Sequence, residues 1–294
     1  MYIHVHVGAT LLACILLLLC SLTHSTPSSG VSVSHPDEQV AVGYVFNLGF
    51  PKAGSSSLFQ FLQCRYRNKL DQSGVVSHYV CGRKHVLGSR EYQTCGECIE
   101  RAASSYQSWH LLKPSHLNRV YLQLNVSCSG SFAFSQMDYA NSTHCSFPQI
   151  ENLDYLLSDE VFPEAKFILL TRPVEHWIHS VKNFFDLKSR LIACLRRKPS
   201  LFPRYDVFNG GMQTDGVDRD DMLLSEWFQW HERYIQHLFF RRKLKHRLLV
   251  INIEESIPIV QEKIDRFLGF ESLSLPAHRK NATLCWNHAN QNKH

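Results

Sequence analysis

Long apolar runs are nearly absent from these 294 residues, and so are repeats and glycine- or proline-rich stretches. Gly (14) and Pro (11) are too few for collagen or a low-complexity chain. No unit recurs at a spacing of about 20–50 residues, which excludes solenoids and propellers. Charge of one sign is scarce too: 31 Lys plus Arg against 26 Asp plus Glu leaves +5. That excess is too dilute for a nucleic-acid surface and suits anionic small ligands or glycans. His-Glu-x-x-His is missing. Around Cys95-Gly-Glu-Cys98 there is no second Cys-x-x-Cys or His-x-x-x-His to complete a zinc site, so no metal is expected. What remains is ordinary globular composition, 44% hydrophobic and 19% charged. After a signal-like N-terminus, roughly 255 residues are left, enough for one domain with a large core.

No charged residue precedes Asp37, and the one long apolar run, Val7 to Leu22, has 16 residues. It is shorter than the roughly 20 of a comfortable membrane span and is followed by small polar residues. It reads as a cleaved signal peptide or a short signal anchor over residues 1–25, with a Ser/Thr/Pro-rich stem over 26–40 and the folded domain over 41–294. Of the ten cysteines, Cys14 and Cys20 lie inside the apolar run. The other eight, an even number beyond a secretory segment, read as disulfides of unspecified pairing. Asn125, Asn141 and Asn281 begin glycan acceptor sequons, which agree with a lumenal address.

Along the domain, Val42–Leu48, Gly74–Val80, Val120–Leu124, Ser131–Ser135, Ala165–Thr171 and Arg247–Ile253 read as strands. Helices are expected from Ser55, over Pro148–Leu157, from Pro173, over Asp221–Lys243 and over Ile257–Leu268. Residues 81–118 read as an irregular Cys-rich loop with a short helix. Apolar strands alternating with helices predict an α/β fold, a three-layer sandwich around a mainly parallel sheet.

The chemistry concentrates after the first strand, in Leu48-Gly-Phe-Pro-Lys-Ala-Gly-Ser-Ser-Ser-Leu58. A strand, a Gly- and Ser-rich loop and a helix start present unpaired N–H groups and the positive end of the helix dipole to an anion. Gly49 and Gly54 allow close backbone approach, Ser55, Ser56 and Ser57 add hydroxyl donors, and Lys52 adds a point charge. It is not a Walker A loop, because Ser55 follows the second Gly where Lys is required.

Pro51-Lys-Ala-Gly-Ser-Ser-Ser-Leu58 resembles the Pro-Lys-x-Gly-Thr-Thr-x-Leu loop of sulfotransferases that use 3′-phosphoadenosine-5′-phosphosulfate (PAPS). The resemblance implies a P-loop-NTPase-like sulfotransferase fold in which Lys52, Gly54, Ser55, Ser56 and Ser57 hold the 5′-phosphosulfate. A second element, Phe167-Ile-Leu-Leu-Thr-Arg172 through Ser180, resembles the strand-Arg then helix-Ser pattern that binds the 3′-phosphate, about 120 residues downstream. The likeness extends over roughly residues 42–270. The family's Arg-Lys-Gly loop is approximated by Arg279-Lys280-Asn281.

Sulfuryl transfer also needs a base for the acceptor hydroxyl. Family positions point to Asp138 first and His78 second, with His85, His110 and His116 still open. The basic run 241–247 reads as a solvated helix end, and Trp227, Phe228, Trp230 and Tyr234 as helix core. The expected activity is transfer from PAPS to an acceptor hydroxyl or amine, with Lys52 catalytic. The lumenal address favours a carbohydrate acceptor. Nucleic acid is not expected as a partner. The expected location is the Golgi lumen or membrane (single-pass type II) or the exterior. Two rivals stand beside it: a P-loop nucleotide-dependent kinase, and a secreted glycan-binding protein without turnover.

Overall fold

Short apolar runs that end in Gly or a polar residue build the central sheet. The computed structural model describes residues 43–70, 76–86, 89–110, 128, 132–141, 143–205 and 218–270. The expected signal segment and stem, the strand at 120–124, the sequons Asn125 and Asn281, His116, and Arg279-Lys280 lie outside these residues.

Nine strands are described: β1 (Val45–Asn47), β2 (Val76–His78), β3 (Val80–Val86), β4 (Ser89–Thr94), β5 (Ala133–Gln136), β6 (Tyr139–Ala140), β7 (Cys145–Ser146), β8 (Lys166–Thr171) and β9 (Leu248–Asn252). The helices are α1 (Ser55–Leu70), α2 (Cys95–His110), α3 (Pro148–Glu151), α4 (Leu153–Leu156), α5 (Val174–Lys182), α6 (Leu187–Arg197), α7 (Arg219–Arg241) and α8 (Ile257–Leu268). The main sheet runs β4-β3-β2-β5-β1-β8-β9. Its five strands β2, β5, β1, β8 and β9 are all parallel, and β3 and β4 extend it antiparallel. Parallel strands must be covered on both faces by crossover helices, and this is the expected α/β sandwich.

Side-chain alternation divides the core. Val45, Ala133, Ile168, Leu170 and Ile251 face one way, onto Leu58, Phe61 and Leu62 of α1, Trp177 of α5 and Val260 and Ile264 of α8. Phe46, Phe134, Phe167 and Leu169 face the other, onto Ile99 and Ala102 of α2, Leu156 of α4 and Ile235 and Phe239 of α7. The two periodicities, 2 along strands and 3.6 along helices, make both layers legible in sequence.

Three expectations are corrected. Within 81–118, expected to be an irregular loop with a short helix, residues 81–86 and 89–94 belong to the paired strands β3 and β4, and Cys95–His110 form the 16-residue helix α2. The helix from Pro173 is two helices, α5 and α6, and α6 was not anticipated. Among the described residues β9 is an edge rather than a buried strand: within it only Ile251 is enclosed, and Val250 is exposed.

The cysteines pair as expected in kind. Cys81–Cys95, Cys98–Cys128 and Cys145–Cys194 are disulfides, and Cys64 is also disulfide-bonded. Cys95 and Cys98 therefore enter two different bridges. Among the described residues, Cys81, Cys98 and Cys128 are the one group with sulfurs close enough for a metal ion, and these bridges consume their thiols. Asn141 sits in the β6–β7 turn, where its amide donates to Tyr139 Oη and its oxygen accepts from the backbone N of Thr143 at 2.8 Å.

Candidate active site

Five parallel strands place five carboxyl ends along one edge, and each end contributes to a single cavity of about 880 Å³. Pro51, Lys52, Gly54, Ser55, Ser56 and Ser57 follow β1, and Arg172 follows β8. Ile253 and Glu254 follow β9, His78 ends β2, Gln136 ends β5, and Asp138 lies two residues on. Ser180, Phe184, Leu187, Arg190 and Leu191, from α5, α6 and the turn between them, close the far side. In open α/β sheets ligands bind at this edge, beside the strand where the connections reverse direction; here that strand is β1. Lys52, Gly54, Ser55, Ser56, Ser57, His78, Asp138, Arg172 and Ser180, all singled out from sequence, thus line one space.

The loop after β1 is fixed from beneath. Asn47 donates to Ser135 O (2.7 Å) and accepts from the Gly49 backbone N (2.9 Å). Trp177 Nε1 donates to Pro51 O at 2.8 Å. Phe50 is enclosed by Trp177, Trp227 and the ring of His231. His231 is fully buried, so desolvation lowers its pKa to about 4. The neutral ring lies with Nε2 2.7 Å from Leu48 O, an acceptor, so Nε2 carries the hydrogen.

Backbone conformation sharpens the loop. Lys52 adopts φ +66°, a left-handed conformation costly for a non-glycine residue and characteristic of functional turns. Gly54 adopts φ +102°, and a Cβ there would lie 2.7 Å from Ile253 Cγ2. A Cβ on Gly49 would lie 2.7 Å from Leu170 O. The helix that follows has no acidic residue in its first turn, so nothing on it opposes an anion at its N-terminus. The Lys52 ammonium rests over the Phe184 ring, 3.8 Å from its centroid.

Arg172 reaches back 120 residues to the loop. Its Nη1 donates to Lys52 O at 3.2 Å and to Ser180 Oγ at 2.9 Å, and its Nη2 donates to Glu254 Oε1 at 3.0 Å. The strand-Arg and helix-Ser pair therefore meet, as their spacing predicts, against the backbone of Lys52.

The two base candidates differ in character. Ser135 Oγ donates its hydrogen to Ser77 O (3.0 Å), so it accepts from His78 Nδ1 at 3.1 Å. The His78 ring is thereby the Nδ1–H tautomer, and its Nε2 is the acceptor 3.4 Å from Ser56 Oγ. Burial lowers its pKa to about 4. Asp138 is buried, and desolvation raises its pKa to about 7 despite the Gln136 hydrogen bond and the nearby Arg190 charge. Gln136 Nε2 donates to Asp138 Oδ2 (3.2 Å) and Gln136 Oε1 accepts from Ser55 Oγ (3.0 Å). A continuous chain, Ser55–Gln136–Asp138, joins the Lys52 loop to the carboxyl group.

Sequence reasoning missed Gln136, Tyr79, Arg190, Glu254 and Phe184. Gln136 ends β5 and Glu254 lies two residues beyond β9, positions at the carboxyl edge that flag site residues in parallel sheets. Tyr79 forms the one-residue corner between β2 and β3 with φ +65°. Arg190 and Phe184 lie on or beside the unanticipated α6; Arg190 donates to Ala140 O at 2.6 Å. His110 is the last residue of α2, and His85 lies on β3.

Residues 142–283 match the family model described as a sulfotransferase domain. The match contains Arg172, Ser180 and Glu254 and begins after the Lys52 loop. No curated protein matches the chain. The family resemblance read from sequence is borne out, and with it sulfuryl transfer as the class of reaction.

Proposed function

From the sulfotransferase domain that this chain carries, we propose that it transfers the sulfuryl group of PAPS to an acceptor hydroxyl or amine, a carbohydrate, in the lumen of the secretory pathway. The observation that carries this reading is the convergence of the Lys52 loop, the Arg172–Ser180 pair and Asp138 on one cavity. The site fits the nucleotide's two anionic ends. Helix N–H groups and the Ser55–Ser57 hydroxyls supply donors for a phosphosulfate. The guanidinium supplies a fork for a 3′-phosphate.

In this mechanism Lys52 leaves the Phe184 ring and places its ammonium where negative charge grows on the departing phosphate oxygen, stabilisation of the oxyanion-hole kind. Asp138 accepts the acceptor proton, because a base titrating near the working pH is the most effective. His78, neutral and with Nε2 toward Ser56, orients that hydroxyl instead. Tyr79, Phe184, Leu187 and Leu191 give the acceptor an apolar wall, with Arg190 as its cation. The N-terminal apolar segment, the disulfides and the sequons support the lumenal address and a single N-terminal anchor or a secreted form.

The test is incubation with ³⁵S-labelled PAPS and a panel of desulfated glycans. Lys52→Ala should reduce label transfer by about 100-fold or more, while the desulfated nucleotide PAP still raises the melting temperature. Undiminished transfer by Lys52→Ala would overturn the catalytic assignment. Stabilisation by ATP and not by PAP would favour a kinase, and PAP or glycan binding without turnover a binding protein.

A further inference from the structure

Arg172 is almost fully engaged within the protein. Nη1 serves Ser180 and Lys52, Nη2 serves Glu254, and Nε is buried with no partner among the described residues. Glu254 is in turn gripped by His176, whose Nδ1 lies 2.8 Å from both carboxylate oxygens. Burial would raise the Glu254 pKa, but the His176 and Arg172 hydrogen bonds outweigh it and hold the carboxyl group below its ordinary value. A carboxylate therefore sits on Nη2 of the Arg172 guanidinium, and both residues line the cavity.

We propose that Glu254 is an intramolecular phosphate surrogate: it occupies Arg172 until a 3′-phosphate displaces it onto His176. The inference rests on the PAPS reading and deepens it. A phosphate and a carboxylate cannot share one guanidinium edge without strong like-charge repulsion, so one must leave. His176 is the exposed partner already in contact, and it retains the carboxylate as Arg172 is released. The exchange makes the 3′-phosphate the key to the site. Adenine nucleotides that end in a 3′-hydroxyl have nothing to displace Glu254 with, and they bind with the carboxylate still on Arg172. Glu254 thereby determines donor specificity without touching the sulfuryl group.

Titration calorimetry with PAP and with AMP, on wild type, Glu254→Gln and His176→Ala, separates the possibilities. Gln keeps the shape and an acceptor oxygen at a part-exposed position and loses the charge. Glu254→Gln should bind PAP about tenfold more tightly, the size of one charge-assisted hydrogen bond, with AMP unchanged. His176→Ala should weaken PAP several-fold and leave AMP unchanged. Weaker or unaltered PAP binding by Glu254→Gln would overturn the proposal and make Glu254 a support for Arg172. If wild type does not distinguish PAP from AMP, and Arg172→Ala changes neither, the reading of Arg172 as the 3′-phosphate site has failed and the proposal falls with it. The two failures are thus separable.

Discussion

Replacing Asp138 by Asn should make the protein more stable and far less active, and both effects follow from one buried group. The carboxyl group is enclosed, and its pKa is raised from 3.8 to about 7 by desolvation. The folded protein holds that proton between about pH 4 and 7 where the unfolded chain has lost it. The stability it contributes is therefore complete below pH 4 and is lost as pH rises through about 7. Roughly three pH units at about 1.4 kcal/mol each set an upper bound of about 4 kcal/mol on the cost of the buried charge. Asn has the neutral shape, and its amide oxygen can accept from Gln136 as Oδ2 does. At pH 8.5 the variant should be about 2–4 kcal/mol more stable, seen as a melting temperature higher by about 5–10 °C for a domain of this size. At pH 4 the two proteins should melt together. Transfer should fall by about 10²–10⁴-fold, and wild-type activity should decline as pH drops through about 7. A melting difference that does not change between pH 4 and 8.5 would refute the buried charge. Undiminished transfer would refute the base.

Gly54→Ala forces a side chain into φ +102° and against Ile253 Cγ2, at a cost of about 1–3 kcal/mol; calorimetry should show weaker PAP binding as the loop yields, and unchanged affinity would show that the loop does not hold the donor. Replacing both Cys145 and Cys194 by Ser unties β7 from α6, 49 residues apart in sequence, and should cost about 2–4 kcal/mol in chemical denaturation. Because α6 carries Leu187, Arg190 and Leu191, acceptor KM should rise while PAP affinity holds; an equal loss of both would place the bridge's role elsewhere.

Where candidate site residues are consecutive, the sequence was a sufficient guide to their placement. The turn from β1 into α1 is specified by Gly49, Lys52, Gly54 and three serines, and the Arg172–Ser180 pair by one strand end and two helical turns. Both stand where the pattern puts them. Less local features were hidden. The β3–β4 hairpin carries Gly82, Arg83, Lys84 and His85, which mask the apolar alternation that marks strands. Strand β9 reads as buried from its aliphatic run, yet an edge strand leaves Val250 exposed.

The amino-acid order by itself determined the Gly- and Ser-rich turn from β1 into α1, the alternating α/β plan and the division of apolar residues between two faces. Hydrogen-bonding geometry and side-chain periodicity act over a few residues, and that is as far as a pattern can be read. Only the tertiary structure decided which strands are neighbours. Sheet order brings Gln136 to Ser55 across 81 residues and Glu254 to Arg172 across 82. The same order buries Asp138 and sets which cysteines meet. Those pairings depend on burial and desolvation summed over the whole core, a quantity no single segment contains.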